Sequence, residues 1–334
     1  MYSMDAPALI KQFGLDQSTW TFKGFHGVLH TFFPVGDCIN LYRYGNDGIG
    51  KTIFFVKDNY ISWYWNDSDQ RRLREKFVAD VQKKPTVLEE QLKDWQKHTK
   101  KFDQVMEKID QLDLTKLSDK ELLQWYDTFH DAYIQEYSRC VVLQDGYSMY
   151  SGEFLEPAFK KFFESKKENK KFQEYYNLLM SPTRDSFVNE ELKGRYQLLV
   201  EIEKEPKLLE AFKQSLSGAL KALFPFPSIE KKIESHAKKY FFVKNNYAIQ
   251  LRIGKEYIAE LLCALIQEEK NPVHEIEKME KQLSNQKIEK AKLIRQLSIP
   301  TELRNLIQIT ELFTYMQDTR KKYMMMASRY QREF

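Results

Sequence analysis

His236 lies on what the residue spacing predicts to be the buried face of a helix. Ile229, Ile233, His236 and Tyr240 follow one another at steps of four, three and four residues, which aligns side chains on one helical face. An inward imidazole can carry a phosphoryl group, move a proton or serve as a core side chain with one fixed partner. The spacing alone leaves these roles open, but it predicts that His236 points inward.

Three polar residues follow this helix and offer a second set of hydrogen-bonding groups. Asn245 and Asn246 stand where we expect the helix to end, and asparagines there commonly supply a left-handed turn or a cap. The functional alternative is that Asn246 and Tyr247 line a pocket together with His236 and Tyr240. The substrate-binding set predicted from the sequence is His236, Tyr240, Asn246, Tyr247 and Arg320.

Arg320 is a cation within an apolar helical stripe. It stands four residues from Met316 and from Met324, and seven residues from Phe313. A buried guanidinium requires an acidic or phosphate partner, because an unpaired buried charge is very unfavourable. Asp145 is one internal partner that the sequence offers, in which case Arg320 has a structural role. The alternative is that Arg320 binds an anionic ligand.

Residues 45–52 match the P-loop pattern G-x-x-x-x-G-K-[ST] letter for letter. In a P-loop, Lys51 would neutralise phosphate charge and Thr52 would hold magnesium. The mechanism also needs a helix directly after the lysine, so that its N-terminus faces the phosphate. Residues 53–65 are instead typical of β-strands, and we therefore predict a glycine-rich hairpin turn between two strands at Gly45 to Thr52.

These candidates require elements to position them, and the sequence predicts mostly helices. Residues 20–65 are rich in aromatic and β-branched side chains and are interrupted by glycines. Residues 39–44, 52–56 and 60–65 together predict a small antiparallel sheet. The remainder predicts one helix after another. The fold class is therefore mostly α, a multi-helix bundle with a small N-terminal antiparallel β-rich element in residues 1–66 and a helical domain in residues 67–334.

Several helix boundaries are marked by their own residues. Ser118 and Glu121 form a capping-box pattern, and another helix is predicted to start near Ser186. Residues 208–223 are predicted as one helix. Ser228 is predicted to cap the His236 helix, and the final helix is expected after Pro300.

Composition excludes several classes of protein. The 334 residues are 42% hydrophobic and 14% aromatic, which is sufficient for a buried core. The 52 Lys and Arg residues nearly balance 48 Asp and Glu residues along the chain, so a dedicated nucleic-acid-binding protein is not favoured. The basic, aromatic stretch of residues 160–172 keeps that alternative open, although glutamates interrupt it and indicate a solvated helix face.

Cysteine spacing and hydropathy indicate the cellular setting. Cys38, Cys140 and Cys263 are far apart, and their spacing indicates neither a disulfide framework nor a zinc site. No run of about 18 apolar residues occurs, and the N-terminus lacks a basic segment followed by an apolar one. We therefore expect a soluble cytoplasmic protein with no cofactor and no membrane partner, and nucleic acid is not favoured as a partner.

Three stretches carry a resemblance to a known family. Residues 117–126, 178–187 and 236–247 resemble the central helical region of phosphoenolpyruvate-utilising enzymes, the phosphoenolpyruvate synthase and pyruvate phosphate dikinase group. Arg320 and Lys321 resemble the end of that region, which in this chain runs from about Leu88 to about Tyr330. In the family, the region lies between the nucleotide-binding domain and the phosphohistidine domain.

The chain departs from the family at its catalytic motif. The family's phosphohistidine stands in a Gly-Gly-x-x-Ser-His-Ala context, and residues 235–237 repeat only the last three letters. The glycines that would let the backbone approach phosphate are absent. The resemblance therefore implies a non-catalytic binding or scaffolding module. Its partner would be a small anionic ligand such as an acceptor substrate, or a separate phosphotransferase domain.

Two other functions remain as alternatives at this point. The first is a nucleotide-dependent phosphotransferase that uses Lys51 and Thr52 in the loop from Gly45 to Thr52. The second is a nucleic-acid-binding helical protein that uses the basic stretch of residues 160–172. Fold class does not decide among these three functions, because sites carry the chemistry.

Overall fold

The structure is a computed structural model that describes residues 8, 11–12, 14–15, 20–50, 52–251 and 253–334. Within these residues the chain forms thirteen α-helices and one three-stranded antiparallel sheet near the N-terminus. The predicted fold class, mostly α with a small N-terminal antiparallel β element, is confirmed. In the same residues, no helix has both the length and the apolar character needed to cross a bilayer.

The strands are β1 (Trp20–His26), β2 (Thr52–Lys57) and β3 (Tyr60–Asn66). The helices are α1 (Leu29–Leu41), α2 (Asp67–Lys83), α3 (Val87–Ile109), α4 (Asp119–Ser148), α5 (Ser151–Ser165), α6 (Phe172–Met180), α7 (Phe187–Glu203), α8 (Pro206–Gln214), α9 (Leu216–Ala222), α10 (Pro227–Lys239), α11 (Lys255–Gln267), α12 (Pro272–Gln296) and α13 (Thr301–Glu333).

The sheet places β3 between β1 and β2, and both neighbours run antiparallel to it. Side chains alternate along β3, so that Ile61, Trp63 and Trp65 are buried against the helices. The turn between β2 and β3 is formed by Asp58 and Asn59, both with positive φ. Two successive residues with positive φ form a tight turn whose backbone twist matches that of the two strands it connects.

One predicted strand is wrong. The sequence predicts residues 39–44 as part of the sheet, but residues 39–41 form the last turn of α1 and Tyr44 makes only an isolated bridge to Asp47. The reason is helical periodicity: Phe32, Val35 and Ile39 are buried on one face of α1, which packs on α4.

The described residues form two large hydrophobic cores, and the first of them surrounds α4. It contains the inner face of the sheet, α1 to α6 and most of α13, with α4 contacting α1, α2, α3 and α13. Large buried aromatic residues such as Trp65, Phe102 and Phe129 belong to this same core. The N-terminal sheet is therefore packed on the helices through a continuous apolar cluster.

The second core lies between α7 and α11 and includes residues from Tyr196 to Leu265. Helix α12 connects the two cores, because Met279 packs against the second core while Leu293 belongs to the first. A small cluster of Phe187, Tyr240 and Phe242 lies near their junction.

The predicted helix ends agree with the structure in part. Ser118 and Glu121 form the capping box of α4, and Ser186 caps α7. The single helix expected over residues 208–223 is wrong, because the chain is extended at Ser215 and this residue separates α8 from α9. Ser228 is not the cap of α10: Pro227 occupies the first turn, where its missing N–H needs no partner.

Candidate functional site

His236 lies in the last turn of α10 and is buried, with 8% of its surface exposed. Its Nε2 atom is 3.1 Å from Oε1 of Glu191 on α7. Glu191 is also paired with Arg195, one turn further along α7, at 2.8 Å. The imidazole lies 4.7 Å from the ring of Tyr240, measured between ring centroids. The predicted inward direction of His236 is therefore confirmed.

The surroundings of Glu191 favour the ionised form of its carboxyl group. Burial raises the pKa of the Glu191 carboxyl, but the hydrogen bond from His236 and the charge of Arg195 outweigh burial and lower it overall. The carboxylate is therefore ionised and accepts hydrogen bonds from both neighbours. The Nε2 atom of His236 is engaged in this contact.

Arg320 pairs with the partner that the sequence suggested. Its Nη1 atom donates to Oδ1 of Asp145 at 3.0 Å, and its guanidinium lies 5.8 Å from the ring of Tyr137. The hydroxyls of Tyr137 and Tyr247 are hydrogen-bonded at 2.8 Å. The backbone carbonyl of Tyr247 accepts from Thr31, which anchors this loop against α1. Arg320 and Tyr247 thus belong to one polar cluster inside the first core.

Asn246 has a local role in the loop after α10. Its Oδ1 atom accepts from the backbone N–H groups of Ala248 and Ile249, both at 2.7 Å. The helix itself ends at Lys239, so the expectation that the asparagines terminate the helix is wrong. Asn245 and Asn246 instead shape the loop, and Asn245 fastens it to α13 through the carbonyl of Met325 at 3.3 Å.

The five residues predicted as a binding set fall into separate places. His236 and Tyr240 lie together near the junction of the cores, Tyr247 and Arg320 lie in the first core, and Asn246 lies in the loop between them.

The segment from Gly45 to Thr52 lies between α1 and β2. The prediction of a turn between two strands is therefore wrong for the element before the segment, which is a helix. The element after it is a strand, as the sequence indicated. The Thr52 hydroxyl donates to the carbonyl of Tyr64 at 3.1 Å and accepts from Nε1 of Trp63 at 2.5 Å. Lys51 lies outside the described residues. The helix N-terminus that a phosphate-binding loop needs does not follow Thr52.

A cleft of about 410 Å³ opens where the two cores meet. Its walls are the segment that precedes α7, the start of α7, the middle of α12 and one face of α13. The side chains that give it polar character are Arg184, Asp185, Asn189, Gln282, Gln286, Glu311, Thr314 and Asp318. Residues 182–186 lie within residues 178–187, one of the three stretches for which the sequence led us to expect a family resemblance, and no other sequence pattern indicated the cleft.

The charges on the cleft wall are unequally compensated. Asp185 is paired with Lys193 at 2.5 Å, and Glu311 is paired with the buried Lys290 at 2.8 Å. Arg184 lies over the ring of Tyr315, with the guanidinium carbon 4.4 Å from the ring centroid. Across the part of the chain that is described, no carboxylate lies within ion-pair distance of Arg184. Its positive charge is therefore available to a ligand.

Asp318 is the second uncompensated charge of this cleft. Its Oδ2 atom accepts the backbone N–H of Phe187 at 3.0 Å, which fixes the start of α7 against α13. Burial raises the pKa of the Asp318 carboxyl, and the Phe187 N–H and the charges of Lys321 and Lys322 oppose this rise without cancelling it.

The described residues do not offer a set of side chains that could bind a metal ion. Among the described residues, no group of three His, Cys, Asp or Glu side chains is arranged to hold a metal ion. The cleft offers instead a guanidinium, a carboxylate, amides and hydroxyls, which are groups that bind and orient a polar small molecule.

Comparison with known proteins does not assign a family. No family model matches the chain, and neither the curated proteins nor the solved structures include a match. Function is therefore inferred from the residues themselves and from the geometry of the cleft.

Proposed function

We propose that this chain is a non-catalytic helical binding module that holds a small molecule with an anionic group in the cleft between the two cores. The proposal rests on the position of Arg184 in the cleft and on its lack of a carboxylate partner in the described part of the chain. Its guanidinium lines the cleft, is positioned over the Tyr315 ring and has no carboxylate partner among the described residues. A planar guanidinium is well suited to bind a carboxylate or a phosphate through two parallel hydrogen bonds.

The surroundings of Arg184 support binding of an anion. The neighbouring carboxylates of Asp185 and Glu311 are each neutralised by a lysine, so they oppose an incoming anion less than free carboxylates would, whereas Asp318 forms no ion pair with a described residue. Lys290 also donates to the carbonyl of Ser181 at 2.6 Å, which holds the segment that bears Arg184. Clefts at the junction of two packed units, with a few convergent polar groups, are common ligand sites.

The resemblance to phosphoenolpyruvate-utilising enzymes supports the same proposal. Residues 182–186 of the cleft belong to the family-like stretch at 178–187, and the resemblance implies that this region holds an acceptor substrate. His236 is hydrogen-bonded to Glu191, and Arg320 is paired with Asp145. In this proposal, phosphoryl transfer to the ligand would be the work of a separate partner domain.

The two alternative functions have less support. A nucleotide-dependent transferase would need the Thr52 hydroxyl for magnesium, but this hydroxyl is hydrogen-bonded within the sheet. A nucleic-acid-binding surface on residues 160–172 would need exposed aromatic rings for stacking, but Phe163 is fully buried, and Phe162 and Phe172 are partly buried against the first core. Lys160 in that stretch also pairs with Glu156 at 3.5 Å.

The proposal is tested by calorimetry with acetate, pyruvate, phosphoenolpyruvate and inorganic phosphate at low salt. We expect at least one of these anions to bind the wild-type chain, and its affinity to fall by about tenfold or more in Arg184→Met, because a charge-assisted hydrogen bond is lost. The control is Arg304→Met, since Arg304 is exposed, as Arg184 is, but lies outside the cleft, where it donates a hydrogen bond to Thr301. Equal affinities in both variants, or no binding to the wild type, would overturn the proposal.

A further inference from the structure

Two opposite charges face the same cleft without pairing to each other. Arg184 and Asp318 both line it, and the shortest contact between their charged atoms is longer than the 4 Å that defines an ion pair. Both are close to Tyr315: Arg184 lies over its ring, and Asp318 is three residues further along α13. A ligand in the cleft therefore meets a cation on the segment that precedes α7 and an anion on α13.

Asp318 has an oxygen left for a ligand. Its Oδ2 atom is held by the Phe187 N–H, whereas Oδ1 makes no hydrogen bond to any described residue. Its charged neighbours are Asp185, Lys321 and Lys322, and neither lysine lies within ion-pair distance of it. The carboxylate is thus partly desolvated and lacks a cation in contact.

We propose, on the basis of the function proposed above, that the ligand of this cleft is zwitterionic: an acidic group contacts Arg184 while an ammonium group contacts Asp318. A ligand with only an acidic group gains the attraction of the exposed Arg184 but is repelled at short range by the half-buried Asp318. An added ammonium changes this repulsion into attraction. The side chains of Met279 and Leu283 on α12 complete the cleft with apolar surface for a carbon skeleton. Amino acids and ω-amino acids have this chemistry.

The test compares ligands that share one skeleton and differ in charge. The first series is L-leucine, 4-methylpentanoate and 3-methylbutylamine, which carry both charges, the acid alone and the amine alone. The second series is the ω-amino acids from glycine to 6-aminohexanoate, which vary the spacing of the two charges. Titration at pH 7 should show that the best zwitterion binds about tenfold tighter than the acid of the same skeleton, as expected for one added charge-assisted hydrogen bond.

Asp318→Asn removes the charge that would contact the ligand's ammonium group without removing the hydrogen bond that supports the fold. It therefore tests the effect of this contact on ligand affinity. The amide oxygen can still accept from Phe187, so α7 should remain anchored, and a thermal melt checks this. We expect the variant to lose the preference for the zwitterion and to keep, or improve, its affinity for the simple acid. The matched control is Asp103→Asn, since Asp103 is another half-buried carboxyl with a raised pKa, bonded to Tyr323 and not part of the cleft wall.

The outcomes distinguish this inference from the proposed function. If no zwitterion of any spacing binds tighter than its acid, the inference is overturned, while acid binding that depends on Arg184 would still support the proposed function. If neither acid nor zwitterion binds, both fail. If Asp318→Asn does not fold, the wild type decides alone: the advantage of the zwitterion must decline as the pH falls through the pKa of Asp318, and a constant advantage contradicts the contact.

Discussion

Glu191 on α7 and His236 on α10 form a buried hydrogen-bonded pair, 3.1 Å between Oε1 and Nε2, that joins two helices of the second core. The imidazole fits because residue 194, about one turn after Glu191, is a glycine. A Cβ atom at Gly194 would lie 2.6 Å from Cε1 of His236. The pair therefore depends on the absence of a side chain at this position.

We expect Gly194→Ala to destabilise the protein by about 1–3 kcal/mol, the usual effect of overpacking, although alanine is the better helix former. Gly152→Ala is the matched control, because Gly152 is also helical and nothing lies within 4 Å of the position that its Cβ would take. That variant should be neutral or slightly stabilising. Urea unfolding at pH 7 measures both, and equal stabilisation of the two variants would contradict the role of Gly194.

His236 should not become phosphorylated. Its Nε2 atom contacts Glu191 and the residue is 8% exposed, so a phosphoryl group would have to displace a buried hydrogen bond. The chain is incubated with labelled phosphoenolpyruvate, or with labelled ATP and magnesium, and tested for acid-labile, base-stable label. Label that disappears in His236→Gln would refute the structural role of His236.

Removing only one partner of the Arg320–Asp145 ion pair should strongly destabilise the protein. We expect Arg320→Ala to destabilise by about 3–5 kcal/mol, because the Asp145 carboxylate is left partly buried without its cation. Arg320→Met combined with Asp145→Leu should recover most of the loss, since no charge then remains. A double-mutant cycle in urea measures the coupling, and additive effects would show that the pair contributes nothing specific.

The buried carboxyl group of Glu136 should make the free energy of unfolding depend on pH. Its side chain is fully buried, and burial raises the pKa from its ordinary 4.5 to about 8, against the hydrogen bond from Trp95. The folded state therefore holds a proton that the unfolded state releases between these two pH values. Stability should fall with rising pH across this window, by up to ~1.4 kcal/mol per pH unit, and level off above about pH 8.

Glu136→Gln should remove this slope, because the amide does not titrate. Unfolding curves from pH 5 to pH 9 compare it with Glu107→Gln, which changes an exposed glutamate on α3. The control should keep the wild-type slope. A slope that persists in Glu136→Gln would assign the pH dependence to another group.

The loop from Gly45 to Thr52 should not bind nucleotide in the manner of a P-loop. The Thr52 hydroxyl is held by Tyr64 and Trp63, and β2 stands where the phosphate-binding helix would begin. Calorimetry should detect no magnesium-dependent ATP affinity that disappears in Lys51→Ala or Thr52→Ala. Micromolar affinity lost in either variant would restore the transferase alternative.

Local residue patterns determined much of the helical fold. Ser118 with Glu121, and Ser186, mark helix starts through their own side chains, and this signal needs no distant partner. The inward direction of His236 followed from helical spacing for the same reason. Residues 39–44 show the limit of such patterns, because a short apolar alternation also fits the buried face of a helix that packs on α4.

Only the tertiary structure decided which charges remain available to a ligand. The sequence named His236 and Arg320, but each is engaged by a carboxylate that is distant in sequence: Glu191 and Asp145. Arg184 carried no periodic signal, and its availability depends on the placement of α12 and α13 around it. Ion pairing is a property of distances between side chains, and those distances are set by how helices pack, which residue spacing within one helix does not specify.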